Sequence, residues 1–462
     1  MSLIKSISGF RGTIGGKAGD NFTAQDIVEC SAAFGKWVLN RHGKATIVVG
    51  RDGRISGEIV SNLAVNTLRM MGIHIVDLGL STTPTVEIAV PLEQAQAGII
   101  FTASHNPKHW NALKFLNEKG EFISAEDGKL LLSFVDEGAI DYAEVDQLGS
   151  YRRDDTYINK HIDQILKLPL VFTDAIIEKK YKIVVDCINS TGAISIPPLL
   201  ERLGCEVFLI NEQIDGNFAH NPEPLPENLT ALSLAVQANQ ADLGIAVDPD
   251  VDRLVFVTED GEMFGEEYTL VAVADFILSH KKGNTVSNLS STKALKVITA
   301  QKGGNYYSAA VGEVNVVEKM KEVNAVIGGE GNGGIIYPDL HYGRDALVGI
   351  ALFLSMLSST ATKPSYLRRT YPNYYISKNK IVLDDDVDLD LVLEKLAQKY
   401  HREKLTTIDG LKIEFEDDWV HLRKSNTEPI VRIYAESQFD TVAHNIALKI
   451  KQDIEDIAFG NL

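Results

Sequence analysis

The residues best suited to chemistry fall in four short polar motifs, and the first contains Ser104. It lies in the segment 102–107, TASHNP, directly after the apolar run 97–101. That run predicts a buried strand, so the serine hydroxyl lies at a strand's carboxyl end, where open α/β sheets usually bind ligands. Beside the imidazole of His105, the hydroxyl suits a phosphoryl carrier or a nucleophile. A polar turn without catalytic function has a similar composition.

The second motif, residues 248–253, holds aspartates at alternate positions, namely Asp248, Asp250 and Asp252. If the loop curves, the three carboxylates converge on one hard cation, and a ligand set of oxygen atoms suits Mg²⁺. Arg253 ends the motif and could bind a phosphate or pair with an aspartate. A solvated acidic turn is the alternative. The spacing excludes an EF-hand loop, which needs more ligands, a glycine and a distal glutamate.

The third motif places Glu330 and Asn332 among the five glycines of residues 328–334. Glycines let the backbone approach a ligand closely. A carboxylate and a carboxamide can bridge vicinal sugar hydroxyls by paired hydrogen bonds. The spacing matches neither a dinucleotide fingerprint nor a P-loop. A flexible turn is the alternative interpretation.

The fourth motif, residues 423–429, combines basic, hydroxyl and amide side chains that could form a phosphate cradle. Its candidate phosphate-binding residues, with one arginine beyond the motif, are Arg423, Ser425, Asn426, Thr427 and Arg432. A polar hairpin is the alternative. Arg432 falls within a predicted strand and could instead be a surface cross-strand partner.

Three further residues are candidates on weaker grounds. Lys114 lies ten residues after Ser104 and could act as a general acid or base with a lowered pKa, if it lies near a cation and a phosphate. Arg11 lies in a glycine-rich segment that we predict to be a turn, from which it could reach a phosphate. His220 is interpreted as a structural residue.

A strand, a polar loop and a helix recur along the chain, which predicts parallel or mixed sheets. The predicted strands of these units are 46–52, 73–78, 97–101, 182–186, 206–210, 243–247 and 325–327. The last part of the chain instead predicts a small α+β domain with two helices, 391–400 and 441–457. Its predicted strands are 378–383, 410–415, 419–422 and 430–435. We predict four domains, 1–150, 151–256, 257–370 and 371–462.

Composition limits the partners and the compartment. The 462 residues carry a net charge of −18, from 63 acidic and 45 basic side chains, which disfavours a nucleic-acid or anionic-membrane partner. The three cysteines are far apart and fit a reducing cytoplasm. The segment 1–10 lacks a signal pattern, and no apolar stretch approaches the roughly 18 residues that cross a bilayer. We therefore expect a cytoplasmic protein without a membrane partner.

The four motifs, in this order, resemble those of the α-D-phosphohexomutase superfamily, which includes phosphoglucomutases, phosphomannomutases and phosphoglucosamine mutases. The resemblance covers essentially the whole chain. Residues 102–107 are similar to the family's phosphoserine loop, and residues 248–253 to its metal loop, usually DGDxDR. Residues 330–332 fall at its sugar-binding loop, and residues 423–429 are similar to its phosphate loop, R-x-S-G/N-T.

The resemblance implies three similar mixed α/β domains and a smaller C-terminal α+β domain around a central cleft. It also implies a phosphorylated Ser104 that transfers its phosphate to a hexose monophosphate through a hexose 1,6-bisphosphate. The implied catalytic residues are Ser104, Lys114, His105 and Arg11. The implied Mg²⁺ ligands are Asp248, Asp250, Asp252 and an oxygen of phosphorylated Ser104. The implied substrate-binding residues are Glu330, Asn332, Arg253, Arg423, Ser425, Asn426, Thr427 and Arg432. A monomer or a homodimer is expected.

The sequence departs from the family pattern in three places. Pro249 and Val251 stand in the metal loop where glycines are common. Residues 330–334 read EGNGG, which differs from the ExSGH of bacterial phosphoglucosamine mutases and looks more like the ExNGG form of archaeal-type members. Residues 343–346 vary a usual Gly-Asp-Gly. These changes bear on the substrate. We favour glucosamine phosphate over mannose or glucose phosphate. A metal-dependent sugar phosphatase, a DxD sugar transferase and a non-catalytic sugar-phosphate-binding protein are the alternatives of other classes.

Overall fold

The computed structural model describes residues 2–6, 9–382, 387–424 and 430–458. The chain divides into two compact units. Unit 1 comprises Met1–Ile277 and Asn332–Arg368, and unit 2 comprises Leu278–Gly331 and Arg369–Leu462. Each unit is described by itself.

The first part of unit 1 is a seven-stranded mixed sheet with the order β1-β2-β6-β5-β3-β4-β7. Its strands are β1 (Ile4–Ser6), β2 (Gly9–Thr13), β3 (Thr46–Arg51), β4 (His74–Leu80), β5 (Ala97–Phe101), β6 (Trp110–Leu116) and β7 (Tyr151–Arg153). Its helices are α1 (Ala24–His42), α2 (Gly57–Met70), α3 (Thr83–Leu92), α4 (Ala125–Glu137) and α5 (Tyr157–Ile165). Strand β5 is buried along its whole length because it lies parallel to β3 on one side and antiparallel to β6 on the other.

The second part of unit 1 is a four-stranded sheet with the order β11-β10-β8-β9. Its strands are β8 (Lys182–Asp186), β9 (Glu206–Ile210), β10 (Leu243–Val247) and β11 (Leu254–Thr258). Its helices are α6 (Thr173–Lys179), α7 (Gly192–Arg202) and α8 (Thr230–Ala238). Strands β8, β9 and β10 are parallel, and β11 returns antiparallel to β10. The tight return from β10 to β11 contains the three aspartates.

Helix α12 (Ala346–Thr360) lies in the interior of unit 1, with all of its residues from Ala346 to Ser358 buried. Asp345 caps it, because its side chain accepts hydrogen bonds from the amides of Leu347 and Val348. Among the described residues, no single helix is long and apolar enough to cross a membrane. The bent pair of α12 and α13 (Pro364–Thr370) meets both criteria when the two helices are taken together.

Unit 2 contains three parallel strands in the order β13-β12-β14 and a five-stranded antiparallel sheet in the order β16-β20-β19-β18-β17. The parallel strands are β12 (Asn284–Asn288), β13 (Tyr306–Ala309) and β14 (Ala325–Glu330). The antiparallel strands are β16 (Tyr375–Val382), β17 (Lys404–Thr406), β18 (Leu411–Glu414), β19 (Trp419–Lys424) and β20 (Ile430–Ser437). The helices are α10 (Ala294–Gln301), α11 (Glu313–Glu322), α14 (Leu389–Lys399) and α15 (Asp440–Ala458). Strand β15 (Gly334–Ile336) belongs to unit 1, and α9 (Glu266–His280) contains the first chain boundary between the units.

The fold class predicted from the sequence, mixed α/β sheets with a smaller C-terminal α+β part, is confirmed. Two local predictions are wrong. Strand β14 does not end at residue 327, because Gly328 and Gly329 pair with Val286 and Ser287 of β12. Gly328 is required there for packing, since a Cβ would lie 2.4 Å from the sulfur of Met320.

The second wrong prediction concerns Arg11. It lies in strand β2 rather than in a turn, because β2 pairs with β1 on one side and β6 on the other.

Candidate active site

The loop that carries Ser104 follows strand β5 and holds a strained backbone. Ser104 is buried and has a φ of +48°, a left-handed conformation that costs a residue with a side chain roughly 1–2 kcal/mol. Its amide donates to Thr102 Oγ1 at 2.9 Å, and the Thr102 hydroxyl donates to Asp52 Oδ2 at 2.6 Å. The surrounding structure therefore fixes the direction in which the Ser104 hydroxyl points.

Arg54 is the main support of this loop. Its guanidinium is buried and donates to the backbone carbonyls of the loop residues Ser104, Asn106 and Pro107 and of Trp110, the first residue of β6. Asp52 balances the charge, with Arg54 Nε 3.0 Å from its Oδ2. Burial raises the pKa of Asp52, and the Arg54 charge opposes that rise. Asp52 and Arg54 lie directly after β3, the strand beside β5.

The Ser104 hydroxyl donates to Asp248 Oδ2 at 2.6 Å, so the first two sequence motifs meet in the structure. The metal loop curls around Asp248, whose Oδ1 accepts the amides of Asp252 and Arg253 at 3.2 and 3.1 Å. Val251 allows this curl by adopting a φ of +61° while fully buried. Burial and repulsion from Asp252 and Asp250 raise the pKa of Asp248 well above its ordinary value.

Asp250 is held by two donors from unit 1. Its Oδ2 accepts the Thr83 hydroxyl at 2.6 Å and Lys114 Nζ at 2.9 Å. Lys114 lies on β6, opposite Ile100 of β5, which places it near the serine loop. Although burial raises the pKa of Asp250, the Lys114 charge and the Thr83 hydrogen bond lower it below its ordinary value.

The carboxylates beside Lys114 affect its pKa strongly. Burial lowers this pKa, but Asp250 and Asp252 raise it further, so the net shift is upward. A lowered Lys114 pKa in the presence of a cation and a phosphate stays a prediction.

Asp252 accepts one strong donor, Arg344 Nη2, at 2.6 Å from its Oδ2. Lys114 Nζ lies 4.0 Å from the same oxygen. Both Asp252 and Arg344 are buried. Each aspartate of the metal loop is therefore oriented by hydrogen bonds from backbone amides or from the side chains of other residues.

The three carboxylates fit a divalent cation. One oxygen of each of Asp248, Asp250 and Asp252 lies within 4.8 Å of the others, and all three residues are buried. Two oxygens of this cluster, Asp250 Oδ1 and Asp252 Oδ1, are buried without a hydrogen-bond partner among the described residues. Buried carboxylate oxygens are costly when they lack a partner, and a bound cation would satisfy both.

Two further predicted residues lie beside this cluster. His105 Nδ1 is buried without a hydrogen-bond partner among the described residues. Burial and the nearby charges of Arg253 and Arg344 lower the pKa of His105 well below its ordinary value, so the imidazole is neutral near pH 7. Arg253 donates to Glu223 Oε1 at 3.1 Å, and its Nε lies 4.0 Å from Asp248 Oδ2. Arg253 therefore lies beside Asp248, the carboxylate that accepts the Ser104 hydroxyl.

Arg11, Asn332 and His220 are the remaining candidates of unit 1. Arg11 is half-buried in β2, in register with Ala112 of the strand that carries Lys114. Asn332 Oδ1 accepts the amide of Gly334 at 3.2 Å. His220 Nε2 lies 2.9 Å from Asp186 Oδ2, and this agrees with the structural role expected for it.

Unit 2 carries the other predicted substrate-binding residues. Glu330 ends β14, where its Oε1 accepts Asn288 Nδ2 at 2.7 Å and the amide of Gly312 at 3.0 Å. The amide of the preceding residue, Val311, donates to Asp409 Oδ2 at 2.9 Å, and Arg423 Nη1 lies 3.9 Å from the same oxygen. The structure thus brings Glu330 and Arg423 into one neighbourhood of unit 2.

Arg432 is exposed on β20, directly opposite Arg423 of β19. Because like charges opposed on a sheet repel, this pair would be stabilised by an anion. Ser425, Asn426 and Thr427 lie outside the described residues.

Sequence reasoning missed Asp52, Arg54, Thr83 and Arg344 as parts of this site. The first two had a usable signal, because Asp52 ends the predicted strand 46–52 and Arg54 lies two residues beyond, at the sheet edge where Ser104 is also expected. Arg344 was noticed only as a departure from a pattern. Thr83 gave no signal, because its partner Asp250 is 167 residues away in the chain.

Four sequence models of one family match the chain in order. Those of phosphoglucomutase/phosphomannomutase alpha/beta/alpha domains I, II and III match residues 4–139, 159–261 and 265–374. The model of the C-terminal domain matches residues 381–452. Together the four models cover most of the chain.

Relatives of known name are similar over nearly their whole length. A probable phosphoglucosamine mutase of Methanopyrus kandleri is 34% identical, over 94% of this chain and 94% of its own. A phosphoglucomutase/phosphomannomutase of Thermococcus kodakarensis is 34% identical, over 94% of this chain and 95% of its own.

Among solved structures, a phosphoglucomutase/phosphomannomutase family protein of Burkholderia thailandensis superposes with a TM-score of 0.85. It is 28% identical, over 98% of this chain and 97% of its own. With the matched domains and the relatives, this likeness leaves one conclusion: the chain belongs to the phosphoglucomutase/phosphomannomutase family of α-D-phosphohexomutases, which are intramolecular phosphotransferases.

Proposed function

We propose that this protein interconverts hexose 1-phosphate and hexose 6-phosphate through phosphorylated Ser104, with glucosamine phosphate as its preferred sugar. One observation carries the proposal: the Ser104 hydroxyl lies 2.6 Å from Asp248, in a cluster whose other aspartates keep a buried oxygen without a partner. A serine on a rigid loop, beside a site for a divalent cation, is the arrangement that a phosphoryl carrier requires.

In the proposed reaction the bond between phosphorus and Ser104 Oγ breaks while a bond forms between phosphorus and a hydroxyl oxygen of the hexose monophosphate. The product of this step is a hexose 1,6-bisphosphate and an unmodified serine. The bisphosphate then reorients in the site, and its other phosphate is transferred to Ser104. We assign the accompanying proton transfers to Lys114, with His105 adjoining the serine, and we assign phosphate contacts to Arg11 and Arg253.

Asp248, Asp250 and Asp252 would hold Mg²⁺ together with an oxygen of phosphorylated Ser104. When bound, the ion would supply positive charge that stabilises the transferring phosphoryl group. The protein side of this site is prepared in advance, because Thr83, Lys114, Arg344 and the amides of the metal loop fix the carboxylates. Preorganised charges of this kind reduce the reorganisation needed at the moment of reaction.

The sugar and its non-reacting phosphate are assigned to a second group of residues. Glu330 and Asn332 would bind ring hydroxyls, as a carboxylate and a carboxamide do in paired hydrogen bonds. Arg423, Ser425, Asn426, Thr427 and Arg432 would bind the phosphate. The opposed charges of Arg423 and Arg432 support this part of the proposal.

A phosphomannomutase/phosphoglucomutase is the second candidate, supported by the Thermococcus kodakarensis relative of that name. The Methanopyrus kandleri relative supports glucosamine phosphate at the same identity. A phosphatase would hydrolyse the phosphate rather than return it to another position of the same sugar, so product analysis separates these functions.

We also propose a domain organisation, an oligomeric state and a cellular compartment for the protein. The four domains bounded near residues 150, 256 and 370 are supported by family models that start and stop near those positions. We also propose a monomeric or homodimeric protein in the cytoplasm. The net charge of −18 disfavours a nucleic-acid or anionic-membrane partner. The free cysteines Cys30, Cys187 and Cys205 fit a reducing compartment.

The test is phosphorus NMR of the full-length protein with Mg²⁺ and catalytic glucose 1,6-bisphosphate. The substrates are the 1-phosphates of glucosamine, glucose, mannose and N-acetylglucosamine. We expect conversion to the 6-phosphate, fastest for glucosamine. Faster conversion of mannose or glucose would favour the second candidate, and release of inorganic phosphate would contradict both mutase assignments.

Ser104→Ala is the matched control, because it removes one oxygen from the carrier and keeps the loop. It should fold and be inactive on all four sugars, and intact-protein mass spectrometry should find no phosphate on residue 104. Turnover by this variant at the wild-type rate would contradict the phosphoserine assignment.

A further inference from the structure

The three aspartates of the metal loop differ from a simple acidic cluster, because a hydrogen-bond donor covers one oxygen of each. Asp248 Oδ1 accepts two loop amides, and Asp250 Oδ2 accepts Thr83 and Lys114. Asp252 Oδ2 accepts Arg344 at 2.6 Å. The Ser104 hydroxyl also covers Asp248 Oδ2, and phosphorylation of Ser104 removes this donor. With Ser104 phosphorylated, each carboxylate therefore keeps one oxygen that no hydrogen-bond donor among the described residues covers.

The number of available oxygens decides which cation fits. Mg²⁺ demands near-octahedral geometry with few protein carboxylates, whereas Ca²⁺ takes six to eight oxygens and accepts carboxylates in bidentate mode. Three carboxylates limited to one oxygen each leave a small ligand set that suits Mg²⁺. A carboxylate released from its donor could bind with both oxygens and would improve the site for Ca²⁺.

Among these donors, Arg344 is held in place both by packing and by its neighbour in the chain. Its side chain passes over Gly334, where a Cβ would lie 2.4 Å from Arg344 Cδ. The next residue, Asp345, is buried, caps α12 and accepts His161 Nε2 at 2.9 Å. The backbone at Arg344 is therefore fixed by its neighbour, and the space for its side chain depends on a glycine.

The departures at residues 330–334 and 343–346 from the family pattern meet at this point. Gly334 ends the EGNGG segment, and Arg344 lies in the varied Gly-Asp-Gly segment. Gly334 lacks a side chain, and the long cationic side chain of Arg344 occupies the space beside it. The two changes are thus physically coupled.

We propose that Arg344 is a positioning residue that determines cation selectivity: it covers Asp252 Oδ2, prevents bidentate binding and so favours Mg²⁺ over Ca²⁺. The inference rests on the proposed function insofar as the aspartates bind a divalent cation. Gly334 contributes to this selectivity, because any side chain at residue 334 would displace Arg344.

The test measures binding of Mg²⁺ and Ca²⁺ by competition with Mn²⁺, with free Mn²⁺ followed by electron paramagnetic resonance. Wild type, Arg344→Met and Gly334→Ala are compared at equal Ser104 phosphorylation, checked by mass spectrometry. Removing a positive charge strengthens both divalent ions alike, so the informative quantity is the ratio of Ca²⁺ to Mg²⁺ affinity. Arg41→Met is the charge control, because Arg41 pairs with Asp127 on the helices α1 and α4, outside this cluster.

We expect the ratio to rise on the order of tenfold in Arg344→Met, the lower end of the effect of mutating an outer partner of a metal ligand. Gly334→Ala should change it in the same direction, and Arg41→Met should not change it. Gly334→Ala also keeps the test decisive if Arg344→Met does not fold.

An unchanged ratio in a variant that binds cations would overturn this inference and leave the mutase proposal intact. Absence of Mn²⁺ binding by the wild type would overturn both the inference and the metal assignment. Loss of Mg²⁺-supported mutase activity in wild type, with cation binding retained, would overturn the proposed function alone.

Discussion

Replacing Arg54 with methionine should destabilise the protein and misplace the serine loop. The change keeps an apolar stem in the buried site but removes the guanidinium that binds four carbonyls and Asp52. Breaking a buried ion pair by removing one partner typically costs about 3–5 kcal/mol, because the other charge stays buried. Since whole domains are stable by about 5–15 kcal/mol, we expect Arg54→Met to fold with a much lower urea midpoint.

The loss of stability in Arg54→Met should depend on pH, and the ionisation of Asp52 decides whether the loss is larger at low or at high pH. Burial already raises the pKa of Asp52 in the wild type, and the variant loses the charge that opposes this rise. A carboxyl whose folded pKa is raised favours folding at low pH, and this contribution is lost as pH rises through the folded pKa. The stability gap between Arg54→Met and wild type should therefore be smaller at pH 5 than at pH 8.

Urea unfolding at both pH values measures the gap, and the double variant Asp52→Leu with Arg54→Met is the matched control. The double variant should recover much of the lost stability, since a neutral apolar pair replaces a buried ion pair at little cost. Mutase activity should not recover, because the loop carbonyls still lack their donor, and misplacement by about 1 Å can cost about a hundredfold in rate. Equal urea midpoints for wild type and Arg54→Met would refute the reasoning.

Two further changes test other parts of the protein. Arg423→Ala should weaken binding of hexose phosphates about tenfold or more, because a hydrogen bond to a charged group contributes roughly 1.5–3 kcal/mol; unchanged affinity in calorimetry would exclude Arg423 from the phosphate site. Lys412 is buried, donates to the Leu289 carbonyl at 2.7 Å, and burial lowers its pKa to about 8. Because its folded pKa lies below the unfolded one, wild type should gain thermal stability relative to Lys412→Met as pH rises above 8; parallel melting curves would contradict this.

Much of the framework was predictable because it depends on local patterns. The strands 97–101, 182–186, 206–210 and 243–247 have the predicted bounds, since a short apolar run between polar loops has few other stable conformations. The prediction failed at β14, where glycines continue the strand instead of ending it. There the pairing of Gly328 and Gly329 with β12 continued the strand, and this pairing depends on a neighbouring strand that is distant in the sequence.

The sequence by itself determined the fold class, the four polar motifs and the elements that carry three of them. Those properties follow from periodicity and from residue types within a few positions of each other. Only the tertiary structure decided which donors hold the site together: Arg54 under the serine loop, Thr83 on Asp250 and Arg344 on Asp252. These partners are separated by tens to more than a hundred residues, and the chain must pack its sheets and helices before any of them can meet.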